Sequence, residues 1–151
     1  AATEAIGSCR PRGAAASLVT LLSDGDPQVR ATAAIALGTA GTTAQLDDLF
    51  LAFDRGLNEA SPAIGQLADA AGADRLLAYL GRKPLDAITP GLDEILARTD
   101  IAARVKLRVL GKLEELATPE VRTYLENLAE ALPAGAIQNE ARAAAGRITG
   151  G

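Results

Sequence analysis

One amphipathic pattern recurs along this chain. Apolar or tyrosine side chains stand at positions i, i+3 and i+4, the spacing of one helix face, in five segments: SLVTLL, QLDDLF, RLLAYL, GLDEIL and EVRTYL. The five stripes begin at Leu18, Leu46, Leu76, Leu92 and Val121. Three of the four intervals between successive starts are nearly equal, so the pattern predicts a helix that returns about every 30 residues. The interval from Leu76 to Leu92 is much shorter.

A second type of helix is predicted between these stripes. It occupies the segments PQVRATAAIALG, SPAIGQLADAAG, IAARVKLRVLGKLEEL and NEARAAAGRITG. Two helix types that alternate with a fixed period are typical of stacked antiparallel helix pairs. We therefore predict an all-α fold: an α-solenoid of about five helix pairs, stacked in a right-handed sense, in a single domain that spans residues 1–151.

The short interval from Leu76 to Leu92 predicts one irregular pair. Only the short segment PLDAI fits between Leu80 and Leu92 as the first helix of that pair. Because proline and glycine interrupt helices, Pro90 and Gly91 are expected to separate this short helix from the next one. One of the five pairs is therefore predicted to be shortened.

The start of the chain carries part of the same pattern. Gly7 in EAIG aligns with Gly38 in AIALG and with Gly111 in RVLG. This alignment predicts that the first repeat is incomplete. We expect the chain to be a piece excised from a larger protein.

Turn residues indicate where the predicted helices begin and end. Four dipeptides place a capping oxygen before a proline at the first helical position: Asp26-Pro27, Ser61-Pro62, Thr89-Pro90 and Thr118-Pro119. TTAQ at residues 42–45 predicts a capping box. Helix ends are predicted at Gly25, Gly41 and Gly72. The Asp-Gly-Asp run before Pro27 lacks the further oxygen ligands of a calcium loop, so we interpret it as a turn.

Composition narrows the possible chemistry. The chain has no histidine and one cysteine, which excludes Ser-His-Asp and Cys-His catalysis and metal sites built on imidazole or several thiolates. Adjacent acids such as Asp93 and Glu94 point about 100° apart on a helix, so we interpret them as a solvated face and not as paired catalytic carboxylates. We predict a protein that is not an enzyme, with no cofactor and no metal.

Charge and cysteine content bear on partners and compartment. A net charge of −4 and 3% aromatic residues argue against a nucleic-acid-binding function. The chain contains no run of 18 apolar residues, so we predict that it does not insert into a membrane. A lone cysteine, Cys9, is typical of a cytoplasmic protein, although a periplasmic one would look the same. Cys9 lies beside Arg10 in GSCRPRG, and whether it is reactive stays open.

One segment carries a family resemblance. DPQVRATAAIALGTAG combines an Asp-Pro turn, a Val-Arg pair, alanines and an Ala-Leu-Gly ending followed by a second glycine. This segment resembles a HEAT-like repeat of the subclass found in phycocyanobilin lyases and in many bacterial scaffold proteins, and ARVKLRVLGKLEE matches it moderately. The resemblance implies an α-solenoid whose second helices line a concave face. It also implies a binding function, without fixing the ligand.

The helix faces opposite the apolar stripes, together with the two tyrosines of the stripes, give the candidate binding surface. If the stripe-bearing helices are the second helices of their pairs, the concave face presents nine residues: Asp48, Arg75, Tyr79, Arg82, Glu94, Arg98, Glu120, Tyr124 and Asn127. The two tyrosines are either half-exposed anchors or core residues whose hydroxyl groups reach water. Mixed charge on this face favours a protein segment over a polyanion.

We therefore predict a non-catalytic scaffold module that binds a protein partner or neighbouring domains of the same polypeptide. Two other interpretations stay open. One is a bilin or tetrapyrrole lyase-like or chaperone-type protein, for which Arg75 and Arg82 are the nearest groups to hold propionates. The other is a purely structural spacer.

Overall fold

The structure, a computed structural model, describes residues 13–148. These residues form nine α-helices and one short 3-10 helix, and no β-strand occurs among them. The helices are α1 (Ala14–Leu21), α2 (Pro27–Ala40), α3 (Leu46–Asp54), α4 (Ala60–Leu67), α5 (Ala70–Leu77), α6 (Leu85–Ala97), α7 (Ala103–Leu116), α8 (Pro119–Ala131) and α9 (Ala136–Arg147). The 3-10 helix, Thr43–Gln45, leads directly into α3.

The helices stack in two rows. The first row consists of α2, α4, α6 and α8, each in contact with the next. The second row consists of α1, α3, α5, α7 and α9, and consecutive helices along the chain cross from one row to the other. The predicted all-α, HEAT-like solenoid of stacked helix pairs is confirmed.

Glycines determine how closely neighbouring helices of the first row approach one another. A Cβ atom added at Gly38 of α2 would lie 3.0 Å from the Cα atom of Ala63 in α4. A Cβ atom at Gly65 of α4 would lie 2.2 Å from the carbonyl oxygen of Gly91 in α6. The first distance is at the lower limit for a Cβ contact and the second is too short for one, so these helices pack closely at their backbones. Gly111, which the sequence aligned with Gly38, has no such neighbour within 4 Å, and this equivalence is wrong.

Pro90 lies inside a continuous helix, α6. The prediction that Pro90 and Gly91 end one helix and precede another is therefore wrong. Next to Pro90, the buried hydroxyl group of Ser61 in α4 accepts a hydrogen bond from the Gly91 amide (3.0 Å) and donates one to the Ile88 carbonyl (3.2 Å). Proline cannot donate a hydrogen bond to the carbonyl group four residues earlier, that of Asp86, and Ser61 bonds the backbone on either side of Pro90 to α4.

The arrangement in two rows differs from the prediction that every apolar stripe marks the second helix of a pair. Leu18, Leu46 and Leu76 lie in α1, α3 and α5 of the second row, but Leu92 and Val121 lie in α6 and α8 of the first row. The prediction that all five stripes mark second helices is therefore wrong after α5. Both rows bury an apolar face, so an i, i+3, i+4 pattern does not distinguish them. The short interval between the third and fourth stripes marks this change of row.

Several predicted helix ends are confirmed and others are wrong. The side chains of Asp26 and Thr118 cap α2 and α8, and residues 42–45 form the capping box. Gly41 follows α2, and Gly25 lies in the turn before it. Three predicted boundary residues lie inside helices instead: Ser61, Gly72 and Thr89. Gly7 and Cys9 lie outside the described residues.

Candidate binding surface

The structure divides the nine predicted binding residues between the two rows. Asp48, Arg75, Tyr79 and Arg82 lie on or next to α3 and α5 in the second row. The remaining five lie on or next to α6 and α8 in the first row: Glu94, Arg98, Glu120, Tyr124 and Asn127. The change of row after α5 separates the two groups, so the nine residues do not share one face.

In the second row, the predicted arginines cover aromatic rings. The guanidinium carbon of Arg75 lies 4.1 Å from the ring centroid of Phe50, and that of Arg82 lies 5.8 Å from the ring centroid of Tyr79. Arg75 also forms an ion pair with Asp47 of α3 at 2.6 Å. These cations already have partners within the chain. Arg75 joins α5 to α3, whereas the contact of Arg82 with Tyr79 lies within the loop that follows α5.

Tyr79 completes this aromatic cluster. Its ring packs edge-on against Phe53, with centroids 5.0 Å apart, and its hydroxyl group donates a 2.5 Å hydrogen bond to Asp54. Burial, followed by the bond to Asp54, raises the pKa of Tyr79 to about 12. Asp48 lies on another part of the surface, in a pocket of about 480 Å³ between α1 and α3 whose lining includes Val19.

Arg98 has a structural role in the first row. Its guanidinium group donates hydrogen bonds to the carbonyl oxygens of Gly65 (3.1 Å) and Ala68 (2.6 Å), at the end of α4. It also pairs with Asp100 and holds the pKa of that carboxyl group below its usual range. Carbonyl groups in the last turn of a helix lack partners within the helix, and Arg98 supplies them here. The Cβ atom of Glu94 packs beside Gly65.

The other three residues of this group come together. Glu120, Tyr124 and Asn127 of α8 line one groove of about 490 Å³ between α6 and α8. The rest of its lining is Leu85, Asp86, Thr89 and Thr123. We call this the α6–α8 groove. It combines a half-buried leucine and an aromatic ring with hydroxyl, amide and carboxylate groups.

Tyr124 forms the fixed part of the groove wall. Its hydroxyl group donates a 2.6 Å hydrogen bond to Asp93 of α6. Burial, followed by this bond, raises the pKa of Tyr124 above its ordinary value. The hydroxyl group of Tyr124 is thus paired within the protein, while its side chain still lines the groove.

Sequence reasoning missed part of the groove. Leu85 and Asp86 were assigned to a short separate helix and given no binding role, and Thr89 was predicted only to cap the helix after it. A signal was available, because Leu85, Ile88 and Leu92 follow one helical face straight through Pro90.

Other kinds of site have little support in the part of the chain that is described. Within residues 13–148, no group of three or more histidine, cysteine, aspartate or glutamate side chains is placed to hold a metal ion. None of the described helices is both long and apolar enough to cross a membrane.

Comparison with known proteins adds one family. Residues 1–60 match a family model described as HEAT repeats. The match supports a HEAT-like repeat protein, and HEAT repeats commonly mediate protein–protein interaction or scaffolding. It spans α1 to α3 and reaches the first residue of α4. No curated protein and no solved structure matches the chain.

Proposed function

We propose that this chain is a non-catalytic interaction module that binds a segment of a protein partner, or of a neighbouring domain, in the α6–α8 groove. The observation that carries the proposal is the groove itself. It gathers Glu120, Tyr124 and Asn127 with an apolar floor at Leu85. A groove that pairs an apolar surface with a few polar groups suits a peptide segment.

The surrounding fold supports this role. The walls of the groove are two helices of 13 residues each, and α6 is held against α4 through Gly65, Gly91 and Ser61. Binding sites on rigid elements lose less conformational entropy when a ligand binds. The HEAT-repeat match over residues 1–60 supports the same kind of function.

A selection from a random peptide display library on the immobilised protein tests the proposal. We expect enriched peptides whose binding falls at least about tenfold in Thr123→Arg, because the added side chain occupies the groove. Thr20→Arg on α1 is a matched control. Both threonines are exposed and donate hydrogen bonds to the carbonyl group four residues earlier, to Pro119 and Ala16 respectively. No enriched peptide, or equal binding to both variants, would overturn the proposal.

The tetrapyrrole interpretation gains no support from the positions of its two arginines. Arg75 is paired with Asp47 and stacked on Phe50, and Arg82 lies over Tyr79. Titration of the protein with a free bilin, followed by absorbance, tests this alternative directly. A spectral shift that disappears in Arg75→Gln would favour it over the proposal made here.

A further inference from the structure

We infer that the α6–α8 groove binds an arginine-bearing segment of its protein partner. This inference rests on the proposed function and adds the chemistry of the ligand. Its basis is the distribution of charge between the two rows.

The second row pairs its charges from helix to helix. Asp47 of α3 bonds Arg75 of α5 at 2.6 Å, and Asp74 of α5 bonds Arg108 of α7 at 2.9 Å. Arg147 of α9 then bonds Glu114 of α7 at 2.7 Å. In each pair the acid precedes the arginine along the chain. We call these three pairs the charge ladder. Each pair neutralises a carboxylate of one helix with an arginine of the next helix in the row.

The groove lacks such pairing. Helix α6 carries three carboxylates and no lysine or arginine. On α8, the guanidinium group of Arg122 is paired with Glu126 at 3.0 Å. Across the described residues, neither Asp86 nor Glu120 has a cationic partner, although both line the groove. The groove therefore presents uncompensated negative charge, and charge complementarity favours a cationic ligand.

The rest of the lining favours arginine over lysine. Leu85, Tyr124 and the methyl groups of Thr89 and Thr123 offer an apolar surface to a long side-chain stem. A guanidinium group can bind a carboxylate through two parallel hydrogen bonds and can stack on an aromatic ring, whereas an ammonium group acts as a compact and strongly hydrated charge.

Fluorescence anisotropy with defined peptides tests the inference. The probe is a labelled alanine-based peptide that carries arginines four residues apart. Its counterparts replace arginine with lysine or with uncharged citrulline. We expect the arginine peptide to bind most tightly, the citrulline peptide to bind at least about tenfold more weakly, and added salt to weaken binding, since exposed charges are screened.

Charge-matched variants locate the binding. We expect Asp86→Asn with Glu120→Gln to weaken binding of the arginine peptide at least about tenfold. The control is Asp48→Asn with Glu130→Gln, which changes net charge equally. Its two carboxylates lie outside the groove and have no cationic partner among the described residues. Thermal unfolding of both double variants shows whether each remains folded.

The outcomes separate this inference from the proposed function. Equal binding of arginine and citrulline peptides, or equal losses in the two double variants, overturns the inference. If display selection meanwhile yields peptides that Thr123→Arg excludes, the proposed function stands without it. A dimer in sedimentation that Asp86→Asn with Glu120→Gln dissociates would assign the groove to a second copy of this chain and would also overturn the inference.

Discussion

Two regions of the stack hold their helices together in different ways. Between α2, α4 and α6 the contact is made by glycines, and Gly65 and Gly91 leave no room for a single added carbon atom. Between α5, α7 and α9 the contact at the surface is made by long side chains of the charge ladder. The first kind of contact fixes the distance between two backbones, whereas the second can adjust through rotation about side-chain bonds. The two regions should therefore respond very differently to substitution.

The largest effect is expected at Gly65. In Gly65→Val the new Cβ atom would lie 2.2 Å from the carbonyl oxygen of Gly91 and 2.8 Å from the Cβ atom of Glu94. Because backbone stands in the way, α4 and α6 must move apart, and we expect a loss of about 3 kcal/mol or more in the free energy of unfolding. Urea denaturation measures this loss.

Gly111→Ala provides the matched contrast. Gly111 is an exposed residue inside α7 with nothing within 4 Å of an added Cβ atom. Alanine has a higher helix propensity than glycine, so the free energy of unfolding of this variant should rise by about 0.5–1 kcal/mol. Equal destabilisation by the two glycine variants would contradict the contrast between the two regions.

A smaller loss is expected from Ser61→Ala. This change removes the hydroxyl group that bonds the Gly91 amide and the Ile88 carbonyl next to Pro90. Loss of a buried hydrogen-bonding group costs about 1–3 kcal/mol. Chemical denaturation should show this loss, while Ser17→Ala on the exposed side of α1 should stay within about 0.5 kcal/mol of the original protein. Identical stabilities would mean that α6 does not depend on Ser61.

The two tyrosines, one in each row, should make the stability of the protein depend on pH. Each hydroxyl group bonds an aspartate of the preceding helix in its own row: Tyr79 bonds Asp54, and Tyr124 bonds Asp93. The pKa of both phenols is raised in the folded state, that of Tyr79 to about 12. The folded state therefore holds these protons more tightly than the unfolded state, and the associated stability is fully present below the ordinary tyrosine pKa of about 10.

This stability should be lost as pH rises from about 10 through the pKa of the folded state. Tyrosinate absorbance gives a clear measurement, because the chain has two tyrosines and no tryptophan. We expect no tyrosinate near pH 10 in the folded protein, and a lower pKa for Tyr79 in Asp54→Asn. Ionisation of both phenols at the ordinary pKa would show that these hydrogen bonds do not persist in solution.

The smallest effect is expected in the charge ladder. The Arg108–Asp74 pair is about half exposed on both sides, at 51% and 48%, so Arg108→Gln should cost about 0.2–1 kcal/mol, and less at high salt. Arg104→Gln, on the same helix and without a described partner, is the control. A loss in Arg108→Gln comparable with that in Gly65→Val would contradict the expectation that the glycine contacts stabilise the fold more than the charge ladder does.

The fold could be predicted from the sequence because its signals are local. Asp26 and Thr118 begin helices through bonds within a few residues, and the apolar stripes mark buried faces wherever they occur. The row to which each helix belongs is not local, because it depends on which neighbour covers the stripe. That is why Leu92 and Val121 were placed in the wrong row and why the predicted binding residues are divided between two surfaces.

The candidate site could be predicted only in part for a related reason. Glu120, Tyr124 and Asn127 share a helix, so their common face follows from spacing alone. Asp86 joins them only because α6 continues through Pro90. The backbone beside Pro90 is bonded by Ser61, which belongs to the preceding helix of the same row. Bonds between helices so far apart in the chain leave no trace in the periodic pattern.

The hydroxyl group of Ser61 also limits how far these repeats can be rearranged. Solenoids are often treated as interchangeable units that can be deleted, duplicated or reordered. Here the backbone of α6 beside its proline is bonded by a side chain of α4, so we expect a separation of these two helices to destabilise α6. An engineer who wishes to lengthen this solenoid should insert new units elsewhere and leave the junction between α4 and α6 intact.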